Sequence, residues 1–370
     1  MGEIKRCRVD TVVAVCLGTA LLICCQLSSF AQPVFHRDSV FSETELASIL
    51  SFLSDDEMEG REAGTRGASI SSGFISVLMQ MNGLKPFGDK ITPVNKFPGQ
   101  GWFQNFKMVR CLPTGKVSIK PDGAPEPEES EYSDGDYYLP GDTIIDNPEL
   151  KIDTLCGRNV LGIIYGTDTT KSIIIGAHYD HLGIRNGSVY NGADDNASGV
   201  AGMLALAGKW ACSGETPSCN LIFAAWTAEE KGQLGSRYFV NHTRSNPEKV
   251  IISFNLDMIS RSAPEDNSGR QLSIGTLPFS ENLREMARDI NKGFPIPFEL
   301  DLWDVSGHTG SDYRYFSKAA IPVMTFFSGY NSDYHTPGDV ASKVDYRKMN
   351  DILILIDESI KMVHGLKSPD

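Results

Sequence analysis

Apolar and polar positions along this chain follow two rhythms. Ser42 to Leu53 reads as a helix, and Ile70, Phe74, Val77, Leu78 and Met81 recur at helical spacing until Gly83 supplies a C-terminal cap. From Asn159 onward the pattern changes to short apolar runs bounded by turns: NVLGIIYG, SIIIGAH, LIFAAW, VIISFNLDM and IPVMTFF. These predict strands. Between them, Val200, Met203, Leu204 and Ala207 mark one helix and Asn282 to Asn291 another, while Leu353, Ile356, Ile360 and Val363 mark a last one over Tyr346 to Gly365. Strand runs that are apolar on both faces and separated by helices predict an α/β fold with a mostly parallel sheet covered on both sides.

Composition changes this picture little. The 370 residues are 41% hydrophobic and 22% charged, which suits a globular chain of one large or two small domains. A formal charge of −13 argues against a nucleic-acid partner, which needs clustered Lys and Arg to displace counterions. At the N-terminus, Lys5, Arg6 and Arg8 precede TVVAVCLGTALLICC, and Ser29-Phe30-Ala31 offers small residues before a cut. Residues 1–31 therefore read as a signal peptide. Cleavage predicts a secreted or periplasmic chain starting near Gln32, with no stable membrane association; the alternative is an uncleaved anchor, although the apolar run is short for a span of ~20 residues. Four cysteines then remain, Cys111, Cys156, Cys212 and Cys219, which in an oxidising compartment allow three pairings. Cys212 and Cys219 flank a short polar loop and form the favoured pair. Residues 32–370 read as a single domain interrupted by an acidic insertion at about 112–150, where PDGAPEPEESEYSDGDYYLPGD lacks apolar periodicity and predicts an exposed, solvated segment.

The polar residues that change the picture fall at predicted strand ends, where open α/β sheets bind ligands. His178 and Asp180 follow SIIIGA, Glu229 and Glu230 follow LIFAAWTA, Asp257 follows VIISFNL, and His335 follows IPVMTFF and a loop. Asp194 and Asp195 precede a helix within GADDNASG, where they can also act simply as caps. Each signal alone is weak; their joint placement points to one crevice. Asp180 is placed to accept a hydrogen bond from the second ring nitrogen of His178 and so fix which nitrogen faces a metal. Adjacent Glu229 and Glu230 point differently, so one suits a ligand and the other proton transfer. Two histidines and several carboxylates without thiolate suit zinc, with cobalt or manganese as substitutes, and a shared carboxylate can hold two ions. No H-E-x-x-H, G-x-S-x-G or G-x-G-x-x-G occurs, so the corresponding protease, serine-hydrolase and dinucleotide readings find no support.

EGREAGT (59–65), GLKPFGD (83–89), GAHYDHLG (176–183), NGADDNASGVA, WTAEEKGQLGS, NLDMIS, GSDY and DYHTPGD stand in one order that resembles the co-catalytic zinc exopeptidases, which include secreted bacterial leucyl aminopeptidases, plasma glutamate carboxypeptidase and, as a divergent branch, glutaminyl cyclases. The resemblance runs from about Glu59 to the C-terminus. It implies a three-layer sandwich with a mixed, mostly parallel central sheet covered by helices on both faces. It also implies two Zn2+ ions bridged by Asp195, one completed by His178 and Asp257 and the other by Glu230 and His335. Glu229 looks like the general base that passes a proton from water to the leaving amine, and Asp180 like the partner that orients His178. His181 and His308 are given no metal role and read as structural and as part of a specificity loop; Tyr330 and Tyr334 read equally as pocket lining or packing.

Many members carry a histidine where this chain has Tyr313, and another where it has Asn331. Neither is a zinc ligand in that family, so these departures touch substrate preference. The resulting expectation is a secreted zinc aminopeptidase that takes a peptide substrate. Two alternatives stay open: a carboxypeptidase acting on small peptides, and a glutaminyl-peptide cyclotransferase with a single zinc.

Overall fold

Ser42 opens the first helix by accepting the Glu45 N–H on its side chain, and Leu46, Ile49, Leu50 and Leu53 then fall on one buried stripe of α1 (Glu43–Leu53). The computed structural model describes residues 41–91, 99–111, 117–120, 128–130, 136–140, 142–145, 152–243 and 249–365; the leader expected at 1–31 and part of the 112–150 segment lie outside them. Thr65 caps α2 (Arg66–Met81). Here the apolar spacing marks the helix but not its buried face. Val77 and Met81 are exposed, while Ala68, Ser71, Ser72, Ile75 and Met79 are buried, because small side chains let this helix approach its neighbours closely.

Ten strands build the main sheet: β1 (Lys85–Pro86), β2 (Phe103–Cys111), β3 (Asp136–Tyr138), β4 (Ile152–Ile164), β5 (Asp168–His178), β6 (Cys219–Trp226), β7 (Val250–Leu256), β8 (Gln271–Thr276), β9 (Glu299–Asp304) and β10 (Val323–Phe327). Their order is β9-β8-β10-β7-β5-β6-β4-β2-β3, with β1 added on β4. The sheet is mixed. Strands β6, β5, β7 and β10 run parallel through its centre, whereas β4 pairs antiparallel with β6 and β8 antiparallel with β10. Helix α3 (Gly199–Cys212) joins β5 to β6, α4 (Leu234–Thr243) joins β6 to β7 and α5 (Glu281–Asn291) joins β8 to β9; α6 (Tyr313–Lys318) precedes β10, and α7 (Tyr346–Gly365) is the last helix. Strand β8 and strand β9 carry mixed burial and escaped the apolar-run criterion, which finds only strands buried on both faces.

Alternate residues of β5 face two different cores. Ile173, Ile175 and Ala177 join α1, α2, α3, α5 and α7 on one side; Ile174 joins Phe239 of α4 and Phe316 of α6 on the other. The three-layer expectation holds. No helix among the described residues is long and apolar enough to cross a membrane.

One expectation needs correction. Cys212 and Cys219 are unbonded, because Cys219 is buried at the start of β6 while Cys212 is exposed at the end of α3. Among the described residues of the acidic segment, Val117–Lys120, Glu128–Ser130 and Thr143–Ile145 pair as a small antiparallel sheet, and β3 pairs with β2 and buries Tyr137 and Tyr138. Backbone pairing needs no apolar periodicity, and a sequence criterion built on periodicity overlooks it.

Gly176 in β5 allows Trp226 of β6 to lie across the strand: a Cβ there would stand 2.4 Å from the indole Nε1. Trp226 is fully buried, so it has no route of retreat. G176A is therefore expected to destabilise the fold by about 1–3 kcal/mol, the usual cost of overpacking, measured as a lower urea midpoint at unchanged m-value.

Candidate metal centre

Strand ends and the loops after them bring seven predicted residues together. His178 ends β5, and Asp257 follows β7. His178 Nε2 lies 3.4 Å from Asp195 Oδ1 and 3.3 Å from Asp257 Oδ1. His335 Nε2 lies 3.1 Å from Asp195 Oδ2 and 3.4 Å from Glu230 Oε2. Asp195 thus offers one oxygen to each side. Tetrahedral zinc with ligand bonds of ~2.0–2.1 Å has ligand atoms roughly 3.4 Å apart. The separations match that edge, and the donor set fits the metal.

The two glutamates diverge as their adjacency predicts. Glu229 Oε1 accepts from Gln233 Nε2 at 2.8 Å, and the Glu229 backbone N–H donates to Asp180 Oδ1 at 3.1 Å. Glu230 turns instead toward His335 and His181.

His178 Nδ1 corrects one expectation. Its near partner is the Asp180 backbone carbonyl at 3.1 Å, with the carboxylate at 3.9 Å. The ring is still oriented, but by main chain, because the carboxylate is engaged by the loop that carries Glu229. His181 departs further from its structural reading. It is fully buried, its Nδ1 lies 2.9 Å from Glu230 Oε1 and 3.7 Å from Asp195 Oδ2, and its Nε2 has no hydrogen-bond partner. Gly192, at φ 56°, makes room for the ring: a Cβ there would lie 2.5 Å from it. The H-x-D-H spacing alone gives no signal for this contact.

Other residues hold the loops in register. The Arg61 side chain is buried and donates to the carbonyls of Tyr179 (2.7 Å), Asn191 (2.6 Å), Gly192 (2.8 Å) and Leu53. One guanidinium therefore ties the His178 loop to the Asp195 loop. Asp194 does not cap the following helix. Its Oδ1 accepts from the Ser260 N–H and hydroxyl, and its Oδ2 from Asn331, so it fastens the loop after β7. The carboxylate of Asp339 accepts the N–H groups of Asp194 and Asp195 at 3.0 Å and thereby links the His335 loop to the bridge. Ser311 donates to Asp257 Oδ2 at 2.6 Å.

Electrostatics follow from this crowding. Burial pushes Asp180 and Asp194 up to about 6 and Asp312 up to about 7. It also drives Glu229 well above the carboxylate range, with Glu230 and Asp312 adding to the shift. Burial opposes charge on Glu230 too, but hydrogen bonds from His181 and His335 hold its carboxyl well below that range. For His335 burial disfavours the cation, yet Asp195 and Glu230 outweigh it and raise the ring to about 10. The same balance, led among the raising causes by Asp257, lifts His178. Both oxygens of Asp312 and Asp180 Oδ2 are buried without hydrogen-bond partners. So many buried acids call for positive charge, which divalent cations supply most compactly.

The cluster opens into a cavity of about 330 Å³ that Tyr313, Tyr330, Tyr334 and His308 also line. Tyr334 stacks on His335 at 3.8 Å between centroids, so both of its expected readings apply.

Peptidase family M28 matches residues 159–359, which span all seven site residues. Leupeptin-inactivating enzyme 1 of Streptomyces exfoliatus is 31% identical over 193 residues, 50% of this chain and 39% of that protein. Leucine aminopeptidase 1 of Ajellomyces capsulatus is 27% identical over 195 residues, 49% of this chain and 50% of that one. The chain spans half or less of these curated relatives' lengths. A zinc aminopeptidase structure from Bacillus subtilis shares the fold with TM-score 0.62 at 18% identity, covering 87% of this chain and 95% of that chain. Porphyromonas gingivalis glutaminyl cyclase shares it with TM-score 0.54 at 15% identity, covering 88% and 98%. Fold, ordered motifs and the match over more than half of its residues converge: the chain belongs to peptidase family M28.

Proposed function

We propose that this protein is an exported zinc-dependent aminopeptidase that removes N-terminal residues from peptides. The observation that carries this reading is the paired arrangement around Asp195, with one histidine and one carboxylate on each side and buried Glu229 beside it. His178, Asp195 and Asp257 would hold one zinc ion; Asp195, Glu230 and His335 a second. Zinc bound there supplies Lewis acidity to a peptide carbonyl and to water. Glu229 does the proton work. Buried at the cavity beside the paired ligands, with Gln233 holding its Oε1, it is placed to take a proton from the attacking water and return it to the leaving amine. The export-signal pattern of residues 1–31 supports delivery to the periplasm or medium.

A mixed pool of free and N-acetylated peptides, incubated with the protein with and without chelator, tests this by mass spectrometry. Stepwise N-terminal shortening of free peptides alone, lost on chelation and restored by zinc, is expected; E229Q should retain zinc yet lose turnover by about 10²-fold or more, whereas D195N should lose zinc itself. Ammonia loss from N-terminal glutamine without shortening would instead make the protein a cyclase, and single C-terminal losses a carboxypeptidase.

Charge in the cluster yields a pH dependence for the metal-free protein. Asp180, Asp194 and Asp312 have native pKa values raised from 3.8, so the stability associated with their protonated forms is present below that value and lost as pH rises through about 6 to 7. His335, raised from 6.5 to about 10, loses its contribution in the same direction. Metal-free protein should therefore melt at a lower temperature at pH 8 than at pH 6. Zinc should reverse the order, since metal binding displaces ligand protons; calorimetry of both forms reads it, and a metal-free melting point that rises with pH would contradict the charge account.

A further inference from the structure

The cavity that holds the metal-ligand residues extends along the sheet toward its β9 edge. Strand register defines that path. Asp257 stands one residue beyond the Leu256–Phe326 pair, which places it beside Phe327; Phe327 is opposite Ser273, and Ser273 opposite Asp301. The row Asp257, Phe327, Ser273, Asp301 therefore crosses β7, β10, β8 and β9 on one face. With strands ~4.8 Å apart, its ends are roughly 14 Å apart at Cα.

All four of these residues line the cavity, as do Trp303 and Tyr330. Trp303 lies over Gly275 of the neighbouring strand, where a Cβ would come within 2.7 Å of the indole. Glycine at that position lets the ring lie along the sheet as an aromatic wall. Asp301 Oδ2 accepts from Ser273 Oγ at 2.9 Å, and among the described residues no lysine or arginine forms an ion pair with it. The arrangement is a slot with aromatic sides, metal ligands at one end and an open carboxylate at the other.

A side chain suited to this slot has an apolar stem to lie between rings and a cation at its tip. Lysine and arginine extend roughly 6–7 Å from Cα, counted in bonds of ~1.5 Å. The bond from Ser273 turns the Asp301 carboxylate back toward the cluster along the shared cavity, so an extended cationic side chain covers most of the remaining distance, whereas leucine, roughly 3 Å shorter, stops well before Asp301. We propose that the cavity selects substrates whose N-terminal residue is lysine or arginine, with Asp301 as the specificity-determining anion. This rests on the aminopeptidase reading above.

The test compares residues matched in shape but not in charge. Peptides beginning with lysine or norleucine, and with arginine or citrulline, are given to the zinc-loaded full chain, and kcat/KM is measured for each. The wild type is expected to favour the charged member of each pair by about fivefold or more, and D301N to bring the ratio close to one. D301K should favour glutamate over glutamine, which guards against loss of folding in a single variant. Ratios that are equal in wild type and D301N overturn the inference while leaving the aminopeptidase reading in place. If no free peptide is shortened, leucine-initiated ones included, the aminopeptidase reading falls and this inference with it.

Discussion

Buried negative charge is the constraint on which this structure turns. Asp180, Asp194, Asp195, Glu229, Asp312 and Asp339 are nearly all removed from water within one crevice, and Glu230 and Asp257 stand among them. A cluster of this kind is costly unless cations or hydrogen bonds offset it. Arg61 lies close enough for its charge to be felt by Asp195, Asp180, Asp339 and Glu230, yet its donors are committed to backbone carbonyls. Arg261 pairs with Asp333 at 2.6 Å and reaches Asp339 at 3.4 Å, at the margin of the cluster. The geometry around Asp195 leaves the remaining charge for divalent metal.

Topology delivers these acids to one place. Parallel strands β6, β5, β7 and β10 end at the same edge of the sheet, so the loops after them meet without long excursions. Loops that carry functional groups need a scaffold that fixes them. Asp194 and Asp339 serve that purpose, each fastening the backbone of another loop, so carboxylates in the same crevice divide between candidate metal ligands and construction. The aromatic slot beside the cluster arises from the same register, in the strands that flank the parallel core.

Much of this was legible in the sequence. Strands buried on both faces announce themselves as apolar runs, and His178, Asp195, Glu230, Asp257 and His335 stand at strand or loop positions that pattern alone marks. What escaped has a common cause. The buried face of α2 is built from small residues that carry no hydrophobic signal, β8 and β9 are only partly buried, and the strands within the acidic segment are defined by backbone pairing. Side-chain partnerships escaped as well. The His181 contact with Glu230 and the Arg61 contacts with four carbonyls depend on where loops turn in space, and residues far apart in sequence meet there.

Zinc titration of the metal-free chain, with metal content read by elemental analysis after dialysis, shows whether this crevice is built to hold metal. Two zinc ions per chain and a marked rise in melting temperature as they bind are expected, because each relieves buried negative charge. A chain that takes up no zinc, or binds it without gaining stability, would contradict the view that this crevice is built to hold metal.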